Sequence, residues 1–310
     1  MLAHFPYHHL GPLELGPLKV HPFGVLVGIA IVVGTIVADK RAKKLGLDGG
    51  HVSRLAMWAV IPGFIGAHLY AVLAYEGFDA VAKDPLILLR VWEHISSFGG
   101  FVGATLGILW YVRRHNLKFL VYAEAIVYAF AFAWIFGRLG CTVAYDHPGL
   151  LTDFALGMPY PYEMTVKDPT KFWLIPDVIN TNVRHNLGFY ECLWTIGIAG
   201  FFFSQRKKAR PAGWFLLVFV VLYMPIRFLF DFLRVQDVQW LGLTPGQYVA
   251  IALFVLGVWL LRRVRHQAEI LVPDGQVHVF ADGTPAFTDA PPAKPKPSNA
   301  PPKKKRKKKR

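Results

Sequence analysis

Seven apolar stretches, near residues 22–38, 55–75, 97–112, 119–137, 188–204, 213–233 and 246–261, leave this chain few folds to choose from. A helix needs about 17 to 25 apolar residues to cross the hydrocarbon core of a bilayer, and the first and third stretches are the shortest of the set. Lipid offers the backbone no hydrogen-bond partners, so segments of this kind must satisfy their own N–H and C=O groups as helices. The expectation is an all-α polytopic membrane bundle of about seven transmembrane helices over residues 22–265. Residues 1–21 read as an interfacial segment ahead of the bundle. They lack the charged start, apolar middle and small-residue cleavage site of a removable signal, so the first span is expected to stay in the mature chain.

The cations give the bundle a direction. "DKRAKK" follows the first stretch, "RRHNLK" the third, "QRKKAR" the fifth and "RRVRH" the seventh, while the alternate connections are poorer in Lys and Arg. Because cations accumulate on the cytoplasmic side, the N-terminus is expected outside and the C-terminus inside. The formal charge of +14 does not imply a nucleic-acid partner, since residues 294–310 alone hold ten Lys and Arg and no acid. Residues 266–310 are proline-rich and then almost wholly cationic, a composition that cannot bury a core and reads as a disordered cytoplasmic tail, an electrostatic anchor for anionic headgroups. No specific nucleic-acid binding is expected from it. Two cysteines, Cys141 and Cys192, fit no zinc or redox spacing, which leaves at most one bridge.

With that orientation, the unusual polar residues gather at the outer leaflet. Arg138 ends the fourth stretch, "RHNLGFYE" opens the fifth, and "RFLFDFLR" ends the sixth. Arg227, Asp231 and Arg234 are spaced four and then three residues apart, which puts them on one helical face with the acid between two guanidinium groups. Ionisable residues in a span usually face a bundle interior or an aqueous cavity and mark function. The plainer reading is helix-end snorkelling with an intrahelical salt bridge. Arginines converging from two spans suit a phosphate, whose oxygens a planar guanidinium binds two at a time.

These residues carry a family resemblance. "HPFG" in the first stretch, "DPLILLRVWE" and "SSFGGFVG" around the third, "GRLGC" at 137–141, "RHNLGFYE" at 184–191 and "RFLFDFLR" at 227–234 stand in the order found in prolipoprotein diacylglyceryl transferases, and the chain resembles that family from about residue 20 to about 265. The resemblance implies a transferase of the bacterial inner (cytoplasmic) membrane. Its two partners would be phosphatidylglycerol and a lipoprotein-precursor signal peptide with its lipidation cysteine, and no cofactor or metal is expected. Departures are visible: Phe23 stands for a tyrosine, Phe98 for a histidine, Cys141 for an asparagine, Asp146 for a glutamate and His68 for an arginine.

Joining a thiol to a glyceryl carbon requires a proton acceptor and a way to stabilise the departing glycerol phosphate. Arg138 and Arg227 are assigned to phosphate, with Asp231 and Arg234 fixing the cluster, and the resemblance implies that both arginines are essential. His185 is preferred over His94 as the proton acceptor. Asp146, Glu191, Tyr190, Gly99, Gly100 and Gly140 complete the expected substrate-binding set, Glu191 being read either as an anchor for an arginine or loop or as a base. Cys141 is read as a small buried thiol, His4, His8 and His9 as interfacial, and Glu124 as a residue near the inner end of its span that reaches solvent. The 138–187 connection, with "GMPYPYEM" and "LIPDV", is read as an external loop without regular helix over the site. Three functions are open: the transferase, a relative that binds phospholipid or serves another acceptor, and a transporter gated by the polar cluster. The last is disfavoured because the polar residues lie on one side.

Overall fold

A computed structural model of the chain describes residues 13–15, 18–90, 96–145, 148–160, 182–234, 240–267, 269–273 and 279–280. Asp146, His94, the N-terminal histidines and residues 281–310 lie outside the described residues. Seven long helices are present among the described residues: α1 (Pro22–Lys44), α2 (Gly49–Ala71), α4 (Ser97–Arg114), α5 (Phe119–Val143), α6 (Leu187–Gln205), α7 (Trp214–Asp231) and α8 (Pro245–Gln267). A π turn (Val72–Glu76), a short α3 (Gly77–Lys83) and a 3-10 turn (Pro85–Leu89) follow α2. The chain is therefore all-α and polytopic. Six of these helices are long and apolar enough to cross a membrane; α4, at the third expected span, falls outside that six.

Helix ends follow local chemistry. Pro22 opens α1, Arg41, Lys43 and Lys44 close its last turn, and Asp48 caps α2 by accepting from the Gly50 amide at 2.8 Å. Before α8, Thr244 and Gln247 form a reciprocal cap, the Thr244 amide donating to Gln247 Oε1 at 2.9 Å and the Gln247 amide to Thr244 Oγ1 at 3.2 Å.

Small residues let the helices approach. A Cβ on Gly99, Gly103 or Gly107 of α4 would lie 2.3, 2.1 or 2.0 Å from the backbone oxygens of Gly66, Pro62 and Trp58 of α2. Backbone meets backbone along that seam, a means of association suited to lipid, where apolar side chains gain little by burial. The α1–α5 pair closes similarly, a Cβ on Gly140 falling 3.1 Å from the Phe23 ring.

The two ends of the bundle differ. At the end carrying Arg41, Glu124 is fully buried, and its carboxylate accepts from the Phe215 amide at 2.9 Å in the first turn of α7. The solvent-reaching role expected of Glu124 is thus overturned: one of its oxygens satisfies an orphan amide of a helix start. Residues expected to begin a disordered tail instead supply two short strands: β7 (Glu269–Leu271), which pairs with β6 (Arg210–Pro211), and β8 (Val279–Phe280), which pairs with β7. Leu271 is buried in the core beside Ala212 and Val121.

At the opposite end, α5 continues past Arg138 to Val143, so the connection expected from residue 138 begins later. It holds an antiparallel sheet of β3 (Pro148–Leu151), β5 (Asn182–Asn186) and β4 (Met158–Tyr160), with β5 central. Earlier, β1 (Leu13–Leu15) and β2 (Leu18–Val20) form a hairpin within the expected interfacial segment. The sheet is tied down at both sides: the Leu150 amide donates to the Leu233 carbonyl at 2.8 Å, and Asn186 Nδ2 donates to the Thr142 carbonyl at 3.3 Å.

Candidate active site

Beneath that sheet, Arg138 of α5, Glu191 of α6 and Arg227 of α7 converge. Arg138 Nε lies 2.9 Å from Glu191 Oε2, and Arg227 Nη1 lies 3.9 Å from Oε1 of the same carboxylate. Glu191 faces the cations because Asn186 caps the first turn of α6, accepting from the Phe189 amide at 2.9 Å and thereby fixing the start of the helix. A buried carboxylate requires compensation, and here two cations and a hydroxyl supply it. Glu191 is thus the anchor for the arginines; its carboxylate oxygens are both turned to them.

Asp231 bridges a second pair of cations in the same way. Its Oδ1 lies 2.8 Å from Arg227 Nη1 and 3.7 Å from Arg234 Nη1, so the acid stands between two guanidinium groups as its spacing predicts. The helix ends at Asp231, however, and Arg234 lies beyond it, its backbone bridged to Gly149 of β3. Thr244 Oγ1 donates to Asp231 Oδ2, tying the cluster to the start of α8. Gly246 lets that turn come close, since a Cβ there would sit 3.3 Å from Asp231 Oδ2 and 3.7 Å from Arg227 Nη2.

Two residues of the cluster escape the sequence reading. Tyr223 hydroxyl accepts from Arg138 Nε at 3.1 Å and from Trp134 Nε1 at 3.0 Å, and donates to Glu191 Oε2. Their signal is periodic: Tyr223 precedes Arg227, and Trp134 precedes Arg138, by one helical turn. An apolar-looking span conceals it, because both residues also pass as core.

Donor capacity remains on the arginines. Arg138 Nη2, and Arg227 Nε and Nη2, make no hydrogen bond among the described residues, while the two side chains keep 15% and 21% of their surface exposed. The carboxylates beneath are 4% and 1% exposed. The acids are therefore sealed and the cations partly open, a geometry that presents N–H donors to an anion.

The other expected residues lie around this centre. His185 is on β5, its Nδ1 3.0 Å from the Tyr190 hydroxyl, with Phe154 packed beside both rings. No hydrogen bond or ion pair joins it to Arg138 or Arg227 among the described residues. Burial lowers its pKa from the ordinary histidine value. Tyr190 thus faces the sheet while its neighbour Glu191 faces the arginines. Gly99 belongs to the α2–α4 seam, and Gly100 stands beside it at ordinary contact distance from Ala67. Gly140 receives the Phe23 ring. Asp146 lies outside the described residues.

Both cysteines are free, so the possible bridge is not formed. Cys141 Sγ sits 3.8 Å from Arg138 Nη1, and Cys192 packs against the Ile135 carbonyl. His68 is buried and contacts the Ile87 carbonyl at 3.0 Å, holding the 3-10 turn. Among the described residues no three His, Cys, Asp or Glu side chains are grouped to hold a metal ion.

The family model for prolipoprotein diacylglyceryl transferase matches residues 12–263. The chain belongs to that family. Among its curated relatives is the phosphatidylglycerol–prolipoprotein diacylglyceryl transferase of Stenotrophomonas maltophilia, 28% identical over 295 residues, covering 89% of this chain and 98% of the relative. Proteins of the same name from Pseudomonas fluorescens and Thermosynechococcus vestitus are 26% and 27% identical, covering 85% of this chain in each case and 96% and 95% of the relatives. The match thus spans all seven long helices and the convergent arginines, apart from the last residues of α8. The protein is a multi-pass membrane transferase of this family.

Proposed function

We propose that this chain transfers a diacylglyceryl group from phosphatidylglycerol to the thiol of a lipoprotein-precursor cysteine. The observation that carries the proposal is the meeting of Arg138 and Arg227 on one buried carboxylate with donor edges left open. In the reaction the precursor thiolate attacks the glyceryl carbon, the bond from that carbon to the phosphate oxygen breaks, and glycerol phosphate departs. Charge then grows on the leaving phosphate. Arg138 and Arg227 are positioned to receive it without reorganising, because Glu191, Asp231 and Tyr223 already hold them, and preorganised donors of this kind are commonly worth about 3 to 4 kcal/mol of barrier.

His185 is assigned as the proton acceptor for the thiol, supported by its neutral-favouring burial and its place in the sheet beside Gly149, whose backbone pairs with Arg234. Gly99, Gly100 and Gly140 serve the substrate site through helix approach. Asp146, just after α5, is assigned to steady the turn or a neighbouring arginine. The arginine end faces the periplasm, with the N-terminus outside, the C-terminus cytoplasmic and the membrane the bacterial inner membrane, a topology supported by the cations at the opposite helix ends.

Purified protein supplied with phosphatidylglycerol and a precursor peptide should yield a peptide heavier by one diacylglyceryl group, with matching release of glycerol phosphate. Lipid binding without the adduct would support a divergent, non-transferring member. Phe98 favours that second reading: it stands where the family carries histidine, is half-exposed and packs on Tyr70 at 5.0 Å between ring centroids, and offers no proton acceptor.

A further inference from the structure

Trp134 is not used by the chemistry above, yet it touches the phosphate-gripping machinery twice. Arg138 Cζ lies over its ring, 4.4 Å from the centroid. Its Nε1 also donates to Tyr223, 3.0 Å away. The indole is itself braced by Phe130 and Phe101, with ring centroids 5.1 and 5.4 Å from its own.

The Tyr223 hydroxyl makes the second contact consequential. A phenol oxygen has one proton to donate and two lone pairs to accept with. Trp134 Nε1 and Arg138 Nε occupy the accepting side, so the proton is directed to Glu191. Loss of the indole N–H frees one lone pair, and the hydroxyl can then turn away from the carboxylate. Glu191 would lose a donor, and the guanidinium it holds would lose the fixed plane that leaves Nη2 uncommitted.

We propose that Trp134 is a positioning residue for the transfer reaction, holding the Arg138 guanidinium from below by its ring and from the side by committing the Tyr223 proton to Glu191. The inference rests on the proposed transferase activity. It concerns a residue outside the arginine–carboxylate ion pairs, whose influence on a bound phosphate would pass through Tyr223 and Arg138.

The test compares full-length wild type, Trp134→Phe, Trp134→Leu, Tyr223→Phe and the two Trp134/Tyr223 double variants in phosphatidylglycerol vesicles. It reads kcat, KM for each substrate, and thermal midpoint. Trp134→Phe keeps a ring under the guanidinium and removes only the N–H, so kcat/KM for the lipid should fall about tenfold, the scale of one hydrogen bond to a charged network. KM for the peptide and the thermal midpoint should stay near wild type. Trp134→Leu should lose more. In the Tyr223→Phe background, Trp134→Phe should cost nothing further, because the hydroxyl it orients is gone.

The proposal is overturned if Trp134→Phe stays within twofold of wild type, or if its loss persists undiminished in the Tyr223→Phe background. It is equally overturned if the loss disappears at a lower assay temperature, which marks a stability effect. Should Trp134→Phe fail to fold, the Trp134→Leu pair carries the comparison, its loss being expected to shrink in the Tyr223→Phe background by the share due to the indole N–H and to keep the share due to the ring. Absence of any adduct with wild type refutes the transferase reading instead, so the two failures are distinct.

Discussion

Arg138 and Arg227 come from different helices and meet on opposite oxygens of one carboxylate, that of Glu191, at 2.9 and 3.9 Å. Neither arginine is placed by its own helix alone. The carboxylate sets their separation, and the hydroxyl of Tyr223 and the second carboxylate, Asp231, set their tilt.

Replacing Arg138 or Arg227 by Lys should therefore abolish most activity while keeping the charge. An ammonium is a point donor and cannot serve the carboxylate and a phosphate with one planar fork. We expect at least about a hundredfold loss of kcat/KM for each, given the value of a preorganised donor to developing charge. Diacylglyceryl-peptide formation measured by mass gives the answer; near-wild-type rates in both variants would remove the arginines from the mechanism.

Glu191→Gln keeps the shape and deletes the countercharge. Breaking a buried pair on one side commonly costs about 3 to 5 kcal/mol, because the charge left behind loses its compensation. Partial exposure of the arginines should place the loss toward the lower bound. Thermal denaturation in detergent should show a lower midpoint, and an unchanged midpoint would mean that solvent already screens the pair.

Thr244→Val removes the hydroxyl that both donates to Asp231 and caps α8. The cap alone is worth about 1 kcal/mol. Released from one side, Asp231 should hold Arg227 less firmly, so KM for the lipid should rise together with the fall in stability. Thr244→Ser should restore both, and a serine variant as impaired as valine would point to the lost methyl instead.

The α2–α4 seam should separate two kinds of glycine. Gly107→Ala would place a Cβ 2.0 Å from the Trp58 carbonyl, whereas nothing lies within 4 Å of one on Gly28. Overpacking typically costs about 1 to 3 kcal/mol, and alanine in an open helix position gains up to about 1 kcal/mol over glycine. Thermal midpoints of the two variants should move in opposite directions, or at least only that of Gly107→Ala should fall.

His185 gives the pH dependence. Its folded pKa is lowered by burial, so the group binds a proton less readily folded than unfolded. Its contribution to stability is complete above the unfolded value of about 6.5 and is lost as pH falls through the lower folded value. As proton acceptor it also stays neutral at pH values where a free histidine is charged. The acid limb of kcat/KM should lie below about 6.5 and should shift or vanish in His185→Gln. An identical limb in that variant would assign the proton to another group.

The seven helical stretches are legible because lipid permits little else, and only their ends differ from expectation. Arg138 resembles an exit from its helix, as a charged residue in an apolar run does, yet the helix continues to Val143 where Glu191 compensates the charge from α6. That compensation is a tertiary fact with no local sequence mark. Arg227 and Asp231 are readable, since their pairing is one turn along one helix. Glu124 misleads for the converse reason: its partner is the amide of Phe215, and a backbone donor has no side-chain signature. Tyr223 and Trp134 stay hidden because residues that serve both core and network look like core.

The cluster joins three guanidinium groups, those of Arg138, Arg227 and Arg234, to the two carboxylates of Glu191 and Asp231. Both acids are shared between cations and sealed from solvent, so an anion arriving from the open side meets guanidinium edges before it meets either carboxylate.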